Sequence, residues 1–226
     1  MNALHGVVWW SLGRTLLSGL TYLAAPLKAY GKERVPRAGG VVVALNHLSW
    51  IDVPAFATLC PRRIVYLAKA EAHQVPALGE FIRAFGTLQV RRGESDREAV
   101  RLAREAVRRN LALGMFVEGT RQRSGEPGEA KAGAAMIAIQ EGVPVVPGAI
   151  RGSFEWRLGN FHPVSVAWGE PMRFDHLPRN ARGYREATAE IQLELRRLWE
   201  FLGDVHRLGR PDATPPRRAA LPSRAP

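Results

Sequence analysis

Cys60 is the only cysteine among the 226 residues of this chain. That excludes an internal disulfide and a cysteine-based metal site, and it suits a reducing cytoplasm. Lysine is scarce too: only four of the 32 basic residues are lysine. Long apolar runs are missing. No stretch reaches the roughly 18 uncharged apolar residues that read as a membrane span. Residues 3–30 come nearest, but Arg14 interrupts them and Pro26 and Lys28 close them. They do not read as a signal peptide, because no basic segment precedes the run and Ala24-Ala25-Pro26 is a poor cleavage site. There is no Walker loop and no dinucleotide fingerprint. His5, His73, His162, His176 and His206 are scattered, without carboxylates at ligand spacing.

What is present starts with charge. Against 32 basic residues stand 21 acidic ones, a net charge of +11. Such a balance suggests an anionic partner: nucleic acid, an anionic membrane surface or a polyanionic substrate. Arginine grips phosphate bidentately better than lysine does, but GC-rich codon usage is the plainer explanation of the bias. The chain is long enough for one α/β domain with a full core. Its apolar content, 46%, is ordinary for a folded protein.

Along the chain, residues 1–33 read as one or two amphipathic helices lying in a membrane interface. Trp9 and Trp10 would sit at headgroup depth, and Arg14 and Lys28 would snorkel. The alternative is a helix packed on the protein's own core. A globular domain over 34–203 follows. Apolar, β-branched runs predict strands at 41–45, 64–68, 87–90, 113–117, 143–150 and 164–168. Helices are predicted from near Asp52, over 75–85, from the capping box Ser95-Asp96-Arg97-Glu98 to about Ala112, over 131–140 and over 184–202. Strands alternating with helices imply a single, largely parallel or mixed sheet flanked by helices. From 204 to 226 the chain is rich in proline and arginine and without aromatics, so it reads as a disordered basic tail.

Two segments carry chemistry. Asn46-His47-Leu48-Ser49-Trp50-Ile51-Asp52 follows the strand 41–45. An aspartate can hold one imidazole nitrogen protonated and leave the other free to take a proton from a hydroxyl. A plainer reading makes Asp52 a helix N-cap and His47 a polar loop residue. The second segment, Phe116-Val117-Glu118-Gly119-Thr120-Arg121, also follows an apolar run. Its glycine lets backbone amides approach an anion, its threonine adds a donor and its arginine a charged fork.

Together these segments resemble the glycerolipid acyltransferase family, which carries an Asn-His, four residues, Asp block and a Phe-Pro-Glu-Gly-Thr-Arg block in this order. Two weaker blocks agree: Leu88-Gln89-Val90-Arg91-Arg92, and Val143 to Ile150 preceded by Lys131 and Gly133. Val117 replaces the family's proline and Gln122 a common serine. The resemblance implies His47 as general base and Asp52 as its partner. It implies Arg92, Gly119, Thr120, Arg121 and Lys69 around a substrate phosphate, with Asn46, Ser49 and Glu118 supporting. It implies no cofactor: the donor would be an acyl-coenzyme A or an acyl carrier protein, itself a substrate. The acceptor would be 1-acylglycerol 3-phosphate, giving phosphatidate, or else glycerol 3-phosphate or another lysolipid. The place implied is the cytoplasmic face of a membrane, held peripherally or monotopically on anionic lipid. Two readings of other classes stand beside it, a nucleic-acid-binding protein and a catalytically idle membrane protein. The first lacks a binding motif, and the paired His47 and Asp52 argue against the second.

Overall fold

A computed structural model describes residues 18–69, 87–90 and 96–218. The amphipathic segment ahead of residue 18, the helix expected over 75–85, Arg92 and the last eight residues lie outside the described residues. Seven strands and four helices are labelled in chain order: β1 (Leu27–Tyr30), β2 (Val41–Leu45), α1 (Asp52–Leu59), β3 (Ile64–Lys69), β4 (Thr87–Val90), α2 (Asp96–Arg108), β5 (Ala112–Phe116), α3 (Gly133–Glu141), β6 (Val145–Arg151), β7 (Val164–Trp168) and α4 (Ala181–Arg207). Residues 18–24 are helical.

The strands form one sheet in the order β1-β7-β6-β2-β5-β3-β4. Every pair is parallel except β6 with β7. The fold is therefore α/β with a mixed sheet, as the alternation of elements predicts. Its centre is β2, five residues buried to the last. A continuous apolar run is what a strand covered on both faces requires. Alternate side chains of β2 feed opposite layers. Val42 and Ala44 meet Ala103 and Val107 of α2, Ala135 and Ile137 of α3, and Ile191 and Leu195 of α4. Val41, Val43 and Leu45 face Ala55, Phe56 and Leu59 of α1 and Trp168 of β7. Fully burying each such aliphatic or aromatic side chain stabilises the fold by about 1.5–3 kcal/mol.

Helix α2 ends earlier than its apolar spacing predicts. Asn110 stands at φ 60°, and Leu111 N–H turns back to Ala106 C=O at 3.1 Å. Asparagine tolerates that left-handed geometry better than most residues and stops a helix there. At α4 the start is earlier than predicted, because the Asn180 side chain accepts from the amides of Arg182 and Gly183.

Two expectations are corrected. The first concerns residues 1–33: Leu27–Tyr30 is not part of a helix but an edge strand, parallel to β7. Lys28 does not snorkel. Its Nζ donates to Arg210 C=O at 2.6 Å and pairs with Asp212 at 2.8 Å. The second concerns the tail: α4 runs past 204 to Arg207, and the chain beyond it is fastened through residue 218. Arg34 donates to the carbonyls of Pro215 and Pro216 at 2.6 and 3.1 Å. Arg197 donates to Arg217 C=O, and Arg218 pairs with Glu190. Main-chain carbonyls seat this proline-rich stretch, so it needs no apolar core of its own. Among the described residues no helix is long and apolar enough to cross a membrane.

Candidate active site

The site is built where β2 and β5 run out, side by side. Leu45 pairs with Phe116 in the parallel ladder. Val117 N–H still donates to Leu45 C=O at 2.9 Å, and Gln122 N–H donates to His47 C=O at 2.8 Å. Main-chain bonds thus sew the two signature loops together. A proline at position 117, as in the family's pattern, could not make the Val117 bond. Between these bonds the chain turns: Gly119 N–H closes onto Phe116 C=O at 3.0 Å, with Gly119 at φ 74°. That left-handed angle favours glycine.

His47 Nδ1 lies 2.8 Å from Asp52 Oδ2. The same oxygen accepts from the amides of Leu48 and Ser49 at 2.6 and 2.7 Å. An oxygen already taking two N–H bonds is an acceptor, so Nδ1 carries the proton and Nε2 is left for a substrate hydroxyl. Asp52 is fully buried and stands within the first turn of α1, one residue after the cap position held by Ile51. The N-cap reading of Asp52 therefore gives way to the paired one. Pro54 follows within the first turn, where its missing N–H costs nothing. The imidazole stacks on Phe116, with centroids 4.0 Å apart and planes 20° off parallel, and Phe116 stacks in turn on Tyr66. Only 17% of the His47 side chain is exposed.

Asn46 takes no part in the chemistry directly. Its amide donates to Ile150 C=O at 3.2 Å and accepts from Ile150 N–H at 2.8 Å. It thereby extends the β2–β6 ladder by one side-chain rung and fixes the start of the His47 loop. Ser49 contributes its amide to Asp52. Glu118 is buried beneath the loop, and its Oε1 accepts from Gly128 N–H at 3.4 Å. Burial pushes its carboxyl up to about 7, against the pull of its own amide and those of His47 and Gly128. Among the described residues it pairs with no arginine, and its bond to Gly128 holds the loop.

Gly119, Thr120 and Arg121 are exposed at the rim. Arg121 lays its guanidinium 3.9 Å from the centroid of Trp50, itself 62% exposed. Lys131 reaches the same rim: a Cβ added at Gly119 would stand 3.1 Å from its Nζ. Lys69 closes β3, its backbone opposite Val90 of β4. Its side chain, like Arg92, lies outside what is described. His47, Asp52, Asn46, Ser49, Glu118, Gly119, Thr120 and Arg121 thus come together. Residue types alone did not reveal Phe116 under the imidazole, Trp50 under Arg121 or Lys131 over Gly119.

The pattern of the family described as Acyltransferase matches residues 26–151, more than half of the chain and both loops. The chain belongs to that family. It is an O-acyltransferase by the same relationship. It is 30% identical over 165 residues to a Bacillus subtilis protein named 1-acyl-sn-glycerol-3-phosphate acyltransferase, covering 71% of this chain and 82% of that one. A Limnanthes douglasii protein of the same name is 32% identical, with 66% of this chain and 56% of that one aligned. A Pseudomonas aeruginosa protein named lyso-ornithine lipid O-acyltransferase is 34% identical over 75% of this chain and 64% of its own length. The fold of this acyltransferase matches the crystal structure of a 1-acyl-sn-glycerophosphate acyltransferase from Thermotoga maritima. The TM-score is 0.67 at 23% identity, over 85% of this chain and 79% of that one.

Proposed function

We propose that this acyltransferase moves a fatty acyl group from an acyl thioester to the sn-2 hydroxyl of 1-acylglycerol 3-phosphate, giving phosphatidate. The observation that carries the chemistry is the His47–Asp52 pair, with Nδ1 committed to a buried carboxylate. His47 Nε2 takes the hydroxyl proton as the oxygen attacks the thioester carbonyl. The carbonyl carbon keeps the new C–O bond, the C–S bond breaks, and the proton passes from imidazolium to the departing sulfur. Asp52 holds the ring in place and offsets its transient charge. Arg121, Thr120 and the Gly119 backbone receive the acceptor phosphate, with Lys69 and Arg92 completing the clamp. Fixing the phosphate fixes where the hydroxyl points.

The acceptor is supported by the names of the Bacillus and Limnanthes relatives. The donor is an acyl-coenzyme A or an acyl carrier protein, both anionic and suited to a chain of net charge +11. The enzyme works peripherally on the cytoplasmic face of an anionic membrane, where its lysolipid resides. A second reading keeps the chemistry but replaces the acceptor with a phosphate-free lysolipid. The relative acting on a lyso-ornithine lipid favours it. An acceptor panel with one acyl-coenzyme A donor, read as thiol release, decides between them. Turnover on 1-acylglycerol 3-phosphate is expected, with Arg121→Ala raising the KM for that acceptor at least tenfold and the donor KM little. Equal use of a phosphate-free acceptor would transfer the assignment to the second reading.

A further inference from the structure

The exposed apolar side chains of this molecule are not scattered. Eight large hydrophobic residues are exposed among the described residues, and seven of them sit at the end of the sheet that holds His47, while Leu193 lies on α4. Strand direction establishes this. Chain β2 delivers His47 from its carboxyl end, and β6 runs parallel to β2, so Arg151 leaves the sheet at that same end. Antiparallel β7 begins there, with Ser165 opposite Arg151, and β1 begins beside it, with Leu27 opposite Val164. Helical residues 18–24, bearing Leu20, Tyr22 and Leu23, therefore arrive at this end. Trp50 stands in the His47 loop itself. Leu208 follows α4, whose His206 bonds to Ser165 Oγ at 2.9 Å.

The loop from β6 to β7 is the most prominent of these contributors. It presents Leu158, 84% exposed, and Phe161, 60% exposed. This is no loose tip. Asn160 ties it through three bonds: its Oδ1 accepts from the amides of Arg157 and His162, and its Nδ2 donates to Glu155 C=O. Trp156 Nε1 donates to Ala24 C=O at 3.0 Å, which locks the loop to the N-terminal helix. On its other side Phe154 packs against Gly125, in the segment that follows Arg121. Phe161 itself holds φ 49°. An aromatic residue there is strained by roughly 1–2 kcal/mol, and the strain turns a large ring outward instead of burying it.

We infer that the β6–β7 loop is a second lipid-docking element, inserting Leu158 and Phe161 into the interface of an anionic bilayer beside the catalytic histidine. The occupant is a lipid surface because exposed arginines stand beside the apolar tips, Arg157 within the loop and Arg121 and Arg123 on the neighbouring one, against the single carboxylate of the loop, Glu155. Apolar side chains with basic neighbours are what an interfacial contact requires. The reading of the enzyme as lipid-acylating supplies the purpose, since a lysolipid could then pass from the bilayer to His47 without crossing water.

The test uses the full chain and vesicles of phosphatidylglycerol in phosphatidylcholine, read by cosedimentation. Leu158→Glu/Phe161→Glu is expected to weaken partitioning at least tenfold. Leu193→Glu, 57% exposed on α4 and outside the β6–β7 loop, should leave it unchanged. Phe161→Asn guards against misfolding: asparagine suits the left-handed angle, so binding should fall while the melting temperature holds or rises. Turnover of the double variant on a water-soluble, short-chain acceptor should match the parent. Unchanged partitioning of the double variant would overturn the inference. So would an equal loss in Leu193→Glu, or a parallel loss of turnover on the soluble acceptor. If the binding pattern holds but neither the parent nor the variants acylate any lysolipid, the docking surface stands and the acceptor assignment fails.

Discussion

At the scale of single residues, the site depends on one oxygen with three partners. Asp52 Oδ2 holds the imidazole and two loop amides at once. His47→Ala should lower kcat at least about a hundredfold with the fold intact, as loss of a positioned general base does. Asp52→Asn should also be severe in kcat, since a neutral amide no longer offsets the imidazolium charge and, with its NH2 facing the ring, favours the wrong tautomer. Steady-state kinetics beside a thermal melt checks both. Trp50 makes a different prediction. Its ring positions Arg121, and cation–π contact at an exposed site is worth about 0.5–1 kcal/mol. Trp50→Ala should therefore raise the acceptor KM a few-fold with kcat nearly unchanged, and Trp50→Phe should recover part of it. An effect confined to kcat would contradict this role. His47 and Asp52 are readable in sequence because their partnership spans five residues along one loop. Trp50 with Arg121 is not, because their contact depends on which two loops the sheet brings together. Glu118 is legible only in part, for a similar reason. Its residue type suggests support for the loop, but its burial shows only once the turn at Gly119 carries it inward.

Among the secondary elements, the joint between β2 and β6 sets how firmly the site is held. Asn46→Ala would strand both Ile150 main-chain groups in a buried position. Each unsatisfied group costs about 1–3 kcal/mol, so denaturant unfolding should show a loss of roughly 2–5 kcal/mol. That loss should exceed the one for His47→Ala, which leaves Asp52 bonded to the Leu48 and Ser49 amides. The central strands are readable because β-branched runs leave little choice: Val41–Leu45 and Val145–Arg151 are buried almost throughout. Strand β1 is different. Leu-Lys-Ala-Tyr has no alternation of its own, and it becomes a strand because β7 offers it a free edge. The stretch after α4 escapes composition in the same way. What seats it are Lys28, Arg34 and Arg197 donating to its carbonyls, and main-chain acceptors are the same in every sequence.

Over the whole molecule, a buried and a half-buried ionisation oppose each other. Glu118 is raised to about 7, first by burial. Folding therefore favours its protonated form, and it makes stability fall as pH rises from about 4.5 to 7. His206 is lowered to about 4, by burial first and then by the charges of Arg210 and Arg151. Folding favours its neutral form, so it makes stability fall as pH drops from about 6.5 to 4. In the shared window Glu118 contributes a slope of up to about 1.4 kcal/mol per pH unit, and half-buried His206 contributes a smaller one of opposite sign, so the two partly cancel. Glu118→Gln should expose the histidine slope, with stability rising from pH 4.5 to 6.5, and His206→Gln should show the reverse. Chemical denaturation across that range checks the pair, and parallel curves for both variants would contradict it. The sheet order has a further consequence, in time instead of space. Strand β1 is made first, yet its only ladder partner, β7, lies at the far end of the domain. During synthesis the segment ahead of β1 leaves the ribosome well before anything exists to seat it. On the membrane-bound reading proposed above, residues 18–24 meet the bilayer while the catalytic core is still unmade, and arrival of β7 then draws the finished site down to a surface already occupied.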